Sequence, residues 1–432
     1  MHGHGRAARL VARGLRALAH RGGRAAGLVA VPGDVRARRE AHDAFLDDEP
    51  ALEALRGDLA IGCRHGRETS PDAPVGLVDA VRLPRVATVA GQPVAVAVAG
   101  GFAAPARLRR ELAEQGVALG PPTPDELLLH LIARSRQRTL VNRVVDALWR
   151  APGGYGVLVA APGVLVAVRD PQGLRPLLLG RVDGATVVAT EEAALVAMGA
   201  VTLRALLPGE MLIVDDRGQA SVEPFGRRTV APCAQELAQL AAGTSQLHGA
   251  SAWEARTRLG EELGYAAPAA IDVVVAAGAA ALPAAHAFAA VLQKPVVPAL
   301  GGHTAVPELV AGRRVALVDL APGEDLRGAV GALTAAGAAA VHVRGAVPRR
   351  QRACPYGVDG RELVVGEAPE AWATRLGATS VAWLPAERLG VALGEVGLPA
   401  GACTACVGGA LPLPPEGEAD QLPLFAAEGD EA

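Results

Sequence analysis

The side chains in this 432-residue chain that could do chemistry are few and scattered. Cys63 and His65 stand two apart, and in a strand residues i and i+2 share a face, so a thiol and an imidazole could meet there as nucleophile and base. The simpler reading, adopted here, is a semi-buried thiol beside a surface histidine. Asp319 closes an apolar run and is followed by Glu324 and Asp325. Cys403 and Cys406 form a C-x-x-C pair, with Cys233 and Cys354 far from it in sequence. Five cysteines in a chain this long do not make a disulfide scaffold. His2, His4 and His20 show no spacing that recurs as a ligand motif and read as flexible surface histidines.

Two kinds of element must position these residues. In the first half, short β-rich runs (Val94–Ala99, Val157–Ala160, Val164–Val168, Val187–Ala189) alternate with Gly and Pro punctuation. One clear helix is predicted over Glu126–Arg136. Strand families with helices packed outside them predict a layered α/β sandwich. From about residue 260 the pattern changes. Val273–Ala277, Val315–Asp319 and Val341–Arg344 are continuous apolar runs, as strands buried on both faces require, with Ala-rich helices between them. That pattern predicts a parallel α/β unit with ligands at the C-terminal strand ends.

Composition narrows the function. Half of the residues are hydrophobic, enough for a large core, but aromatics are only 3%, so stacking surfaces for bases or sugars are scarce. A net charge of −3 carries no direct nucleic-acid footprint. No apolar run reaches the roughly 20 residues of a membrane helix. The N-terminus carries Arg6, Arg9, Arg13, Arg16, Arg21 and Arg24 and no acid before Asp34, as a transit peptide would. A surface helix with Leu10, Val11, Leu15 and Leu18 on its apolar face is the reading favoured.

Several stretches, taken in order, resemble glutamine phosphoribosylpyrophosphate amidotransferase. They are His20-Arg21-Gly22-Gly23-Arg24, His130-Leu131-Ile132-Ala133-Arg134-Ser135, Arg169-Asp170-Pro171-Gln172-Gly173-Leu174-Arg175-Pro176-Leu177, Ala189-Thr190-Glu191 and Pro208-Gly209-Glu210-Met211. In the second half they are Arg314–Asp319, Val341–Arg344, Cys354-Pro355-Tyr356-Gly357-Val358-Asp359 and Cys403-Thr404-Ala405-Cys406. The likeness runs from about residue 3 to 410. It implies an N-terminal-nucleophile αββα glutaminase-like domain over 1–228 and a type I phosphoribosyltransferase-like domain over 229–400. A cluster-ligand segment (401–410) and a disordered acidic tail (411–432) would follow.

Against that family's pattern both reaction centres look eroded. The glutaminase needs an N-terminal cysteine, and this chain opens Met1-His2-Gly3-His4, several residues past it; a start codon further upstream would restore it. Where the family has an Asn-Gly oxyanion turn, this chain has Ala99-Gly100-Gly101. Losing one oxyanion donor costs about 3–4 kcal/mol of transition-state stabilisation. The substrate-clamp arginine falls out of register at Arg64, and the substrate-amine acid is displaced to Asp125. In the phosphoribosylpyrophosphate (PRPP) loop, Asp319 keeps one acid while the second has become Leu320. The phosphate-binding threonines are gone, and Glu324 and Asp325 stand where the phosphate would sit, a repulsive arrangement.

Four cysteines match the cluster ligands of one branch of the family: Cys233, Cys354, Cys403 and Cys406. All-thiolate ligation suits a 4Fe–4S cluster and equally a structural zinc, and the resemblance favours iron–sulfur. The reading adopted is a non-catalytic, cytoplasmic relative related to purine biosynthesis, a scaffold, regulatory or redox-sensing protein. It is expected to associate with itself or with an active amidotransferase. One alternative is an active amidophosphoribosyltransferase with an upstream start. Another rests on Gln421, Leu422, Leu424 and Phe425, which resemble a peptide that docks on the replication sliding clamp.

Overall fold

The computed structural model describes residues 1–21, 25–31, 36–40, 43–65, 84–120, 123–226, 228–302, 304–357 and 368–413. Six antiparallel strands form its largest sheet, in spatial order Gly218–Val222, Met211–Asp215, Val164–Arg169, Gly153–Ala161, Gln92–Phe102 and Arg85–Val89. Alternation along Gln92–Phe102 explains how this sheet is covered. Val94, Val96 and Val98 face the helices Pro105–Glu114, Pro124–Arg134 and Leu140–Arg150, while Ala95 and Ala97 face a second β layer.

That second layer consists of two three-stranded antiparallel sheets. One joins Arg36–Glu40, Ala25–Ala30 and Ala60–His65; the other joins Val201–Ala205, Leu178–Val182 and Ala185–Ala189. The helices Ala7–Ala17 and Glu192–Ala197 close its outer side. The result is the layered α/β sandwich that the strand pattern predicted, in the αββα order that the resemblance implied. In the first helix Val11 and Leu15 are buried, Leu10 and Leu18 lie at the edge of the same cluster, and Arg9 pairs with Glu49 at 2.7 Å. The predicted helix Glu126–Arg136 is instead Pro124–Arg134. Thr123 caps it by accepting the Glu126 N–H, and Ser135 leaves helical dihedrals at ψ 136°.

The second half holds a parallel sheet ordered Val273–Ala276, Arg314–Asp319, Ala340–Gly345 and Ser380–Trp383. Both faces are buried, which is why its strands read as unbroken apolar runs. One face packs on the helices Ala252–Ala266, Leu282–Leu292 and Ala386–Glu395. The other packs on Pro307–Val310, Arg327–Ala335 and Pro369–Leu376.

The closest helix pair depends on two small residues. A Cβ on Gly260 would lie 2.6 Å from Ala284 Cα, and one on Gly264 would lie 2.8 Å from Val291 Cβ. Gly260→Ala is therefore expected to destabilise the fold by about 1–3 kcal/mol through overpacking. Urea denaturation measures it; an unchanged midpoint would mean that the two helices separate freely.

Candidate functional site

Three distant segments converge on one cavity. Pro232 leads into Cys233, and Cys403 runs alongside it as a parallel bridge. The Cys403 N–H donates to the Pro232 carbonyl (2.8 Å), and the Ala234 N–H donates to the Cys403 carbonyl (3.1 Å). Cys406 lies in the single turn Ala405–Val407, where its carbonyl accepts the Gln351 N–H at 2.7 Å. Cys354 sits in a turn closed by the Gly357 N–H donating to its carbonyl (3.2 Å). All four cysteines line the cavity, with Leu174, Gln235, Arg350, Tyr356 and Ala405 completing its wall.

The thiols are set in apolar surroundings. Cys233, Cys403 and Cys406 are buried and Cys354 is half-buried. Burial pushes the Cys233 thiol well above its usual range, and the nearby Glu236 and the other three cysteines push it further. Burial likewise raises Cys403, and raises Cys406 to about 11 although Arg350 pulls it the other way. Holding several thiolates here therefore requires a positive partner. Among the described residues no three His, Cys, Asp or Glu side chains close on a point fit for a metal ion.

Beside the cavity lies an ionic network centred on the buried Glu191 and Glu236. Arg21 donates to Glu191 (2.6 Å) and to Glu236 (2.9 Å), and Arg175 pairs with Glu236. Glu191 also binds His20 Nε2 (2.9 Å), the Ala242 N–H (2.6 Å) and the Ser245 hydroxyl (2.8 Å). Burial would push Glu191 up, but the His20 hydrogen bond and the Arg21 charge outweigh it and hold the carboxyl at about 2. The loop Arg169–Leu177 folds on itself: Asp170 accepts the Leu174 and Arg175 N–H groups, both at 2.9 Å, and Arg169 Nε donates to the Arg175 carbonyl (2.8 Å).

The other expected site residues lie apart from the cysteine cavity. At the parallel strand ends, Asp319 accepts the Ala321 N–H (3.2 Å), Leu320 is buried in the core, and Glu324 pairs with Arg375 at 2.6 Å. Asp325 is exposed beside Glu324 in the turn Glu324–Leu326, which leads into the helix Arg327–Ala335. Two indoles missed from sequence stand at this edge. Trp372 and Trp383 meet edge-on with centroids 5.9 Å apart, and the Arg349 guanidinium lies 5.8 and 5.4 Å from their rings. A Cβ on Gly345 would lie 2.8 Å from Pro322 Cδ, so that proline packs directly over the strand end.

In the sandwich, Ala99, Gly100 and Gly101 continue the strand Gln92–Phe102, paired with Gly156, Tyr155 and Gly154. Gly100 has φ +107°, and Gly357 packs on it, such that a Cβ on Gly357 would lie 3.3 Å from the Gly100 carbonyl oxygen. Asp125 is fully buried and accepts the Val98 N–H (2.8 Å), while Arg64 donates to the Leu15 carbonyl (3.3 Å). Cys63 packs at the edge of the cluster between the β layers. The His65 side chain and the tail peptide Gln421, Leu422, Leu424 and Phe425 lie outside the described residues. Among the described residues no helix is long and apolar enough to cross a membrane.

An αββα sandwich joined to a parallel sheet of this kind defines a two-part protein, a glutamine amidotransferase fold ahead of a phosphoribosyltransferase fold. The chain is 33% identical over 451 residues to a chloroplastic amidophosphoribosyltransferase of Glycine max, covering 96% of this chain and 78% of that one. It is 31% identical to the amidophosphoribosyltransferase of Rhizobium etli, covering 91% and 86%. Among solved structures, glutamine PRPP amidotransferase from B. subtilis, complexed with ADP and GMP, superposes with a TM-score of 0.82 at 27% identity, over 95% of this chain and 96% of that one. No family model matches the chain. The chain belongs to the amidophosphoribosyltransferase family.

The ionic network makes a prediction whose sign follows from Glu191. Its folded pKa, about 2, lies below the ordinary 4.5, so its contribution is complete above pH 4.5 and is lost as pH falls toward 2. Glu191→Gln should cost about 1–3 kcal/mol at pH 7, because Arg21 loses one of its two carboxylate partners and keeps Glu236. Denaturation at a series of pH values should show that gap closing in acid; a gap independent of pH would contradict the assignment.

Proposed function

We propose that this family member is a non-catalytic protein related to purine biosynthesis that holds a 4Fe–4S cluster through Cys233, Cys354, Cys403 and Cys406. The observation that carries the loss of PRPP binding is the turn after the strand Arg314–Asp319. Leu320 is turned into the core, Pro322 covers the neighbouring strand end, and Glu324 is paired to Arg375. A helix start that already carries two acids has its dipole complemented from within and repels a phosphate. In the sandwich, Asp125 is engaged with the Val98 backbone, and Ala99 brings no side-chain donor.

The lining of four cysteines supports the cluster reading over zinc. One zinc ion draws four sulfurs to about 2.3 Å of a common centre. A cluster takes thiolates at separate irons, which suits four cysteines around a cavity with no single-ion grouping among the described residues. When bound, the cluster supplies cross-linking of three distant segments and neutralises thiolates that burial disfavours. The roles this leaves are scaffold, regulator or redox sensor, in association with itself or with an active amidotransferase.

Two measurements test this. Anaerobically purified protein should contain about four iron and four sulfide per chain, and Cys403→Ser should lose both; zinc instead would replace the cluster reading. The chain should also fail to restore growth of a purine auxotroph. Growth without added purine would favour the second reading, an active amidophosphoribosyltransferase, which the 33% identity over 96% of the chain supports.

A further inference from the structure

The cysteine cavity has one wall residue that its four thiols do not explain. Gln235, two residues beyond Cys233, is 1% exposed, and among the described residues neither Nε2 nor Oε1 has a hydrogen-bond partner. Buried amides are ordinarily paired, because an unmade bond leaves the full desolvation cost of each polar atom. The polar neighbours on the wall are engaged elsewhere: Arg350 donates to Gln239 Oε1 at 3.4 Å. Leu174 and Ala405 are apolar, and the Tyr356 hydroxyl is engaged by the Leu413 N–H at 3.2 Å. Gln235 stands just before the one-turn π-helix Glu236–Leu240, at φ −69° and ψ −27°. Its backbone is thus set by the same turn that carries Glu236 into the ionic network.

We infer that the Gln235 carboxamide donates a hydrogen bond to a sulfur of the cluster held in this cavity and thereby raises its reduction potential. The inference rests on the cluster reading above. A cluster gains negative charge on reduction, so an N–H aimed at its sulfur stabilises the reduced form more than the oxidised one. An uncharged donor does this without adding a formal charge to a cavity already bordered by Arg350 and, beyond Cys233, by Glu236. Gln235 is a positioning and tuning residue in this account, and no ligand bond runs through it.

The test uses the full chain, purified anaerobically as wild type, Gln235→Met and Gln235→Glu, with iron, sulfide and an EPR-monitored redox titration on each. Gln235→Met keeps the length and removes the donor. It is expected to load wild-type iron and sulfide yet show a roughly tenfold lower reduced-to-oxidised ratio at a fixed potential, which is about 59 mV for one electron. Gln235→Glu should lower the ratio further. A wild-type potential in Gln235→Met overturns the assignment and leaves the cluster standing; wild-type protein without iron or sulfide overturns both. Should Gln235→Met fail to fold, pulsed EPR of wild-type protein labelled with ¹⁵N in its glutamine side chains decides. Coupling of a ¹⁵N nucleus to the reduced cluster is expected, and its absence rejects the hydrogen bond.

Discussion

Glu236 is the group on which the arrangement of the two halves depends. Its carboxylate is fully buried, and a charge in that position is tolerated only with cations against it. Arg21 reaches it from the segment after the first helix, and Arg175 from the buried loop Arg169–Leu177. Arg21 then carries the connection to Glu191, whose second oxygen holds Ala242 and Ser245 at the start of the parallel unit. One charge balance therefore ties the sandwich to the second domain. Cys233 lies three residues before Glu236, and the Glu236 N–H donates to its carbonyl (3.2 Å). The cysteine cavity is consequently built onto the same joint.

How far the sequence could be read varied with the kind of signal. The unbroken runs at 273–277 and 315–319 marked buried parallel strands because burial on both faces leaves no alternation to confuse. Alternating Val and Ala at 94–98 marked a strand between two layers for the converse reason. The helix starting at Pro124 was placed two residues late, because its proline reads as a break although proline is well suited to a first helical turn. The four cysteines could be grouped by family likeness, and all four line one cavity. What sequence could not show was pairing between side chains far apart in the chain. Arg21 and Glu236 are 215 residues apart, and the Trp372–Trp383 contact joins a helix to a strand end. Gln235 escaped for a similar reason: nothing in its identity signals burial without a partner.

The cavity and the sandwich are also joined by a single short turn. Cys354, Tyr356 and Gly357 span four positions, and the last two press on Gly154, Gly101 and Gly100. Side chains at those glycines would crowd the turn: a Cβ on Gly154 would lie 3.1 Å from Tyr356 Cβ, and one on Gly101 would lie 3.3 Å from the Tyr356 carbonyl carbon. The absence of side chains in the sandwich is thus what lets the Cys354 turn lie flat against it. Leu413 returns from beyond the C-x-x-C pair to the Tyr356 hydroxyl and closes the turn from the other side. Fixing the Cys354 sulfur therefore fixes the cover over Gly100 and Gly101, since the turn is too short to hold one end and release the other. In this geometry a ligand shared by Cys354, Cys403, Cys406 and Cys233 would order the surface where the Ala99–Gly101 strand meets the second domain, and would do so through backbone packing.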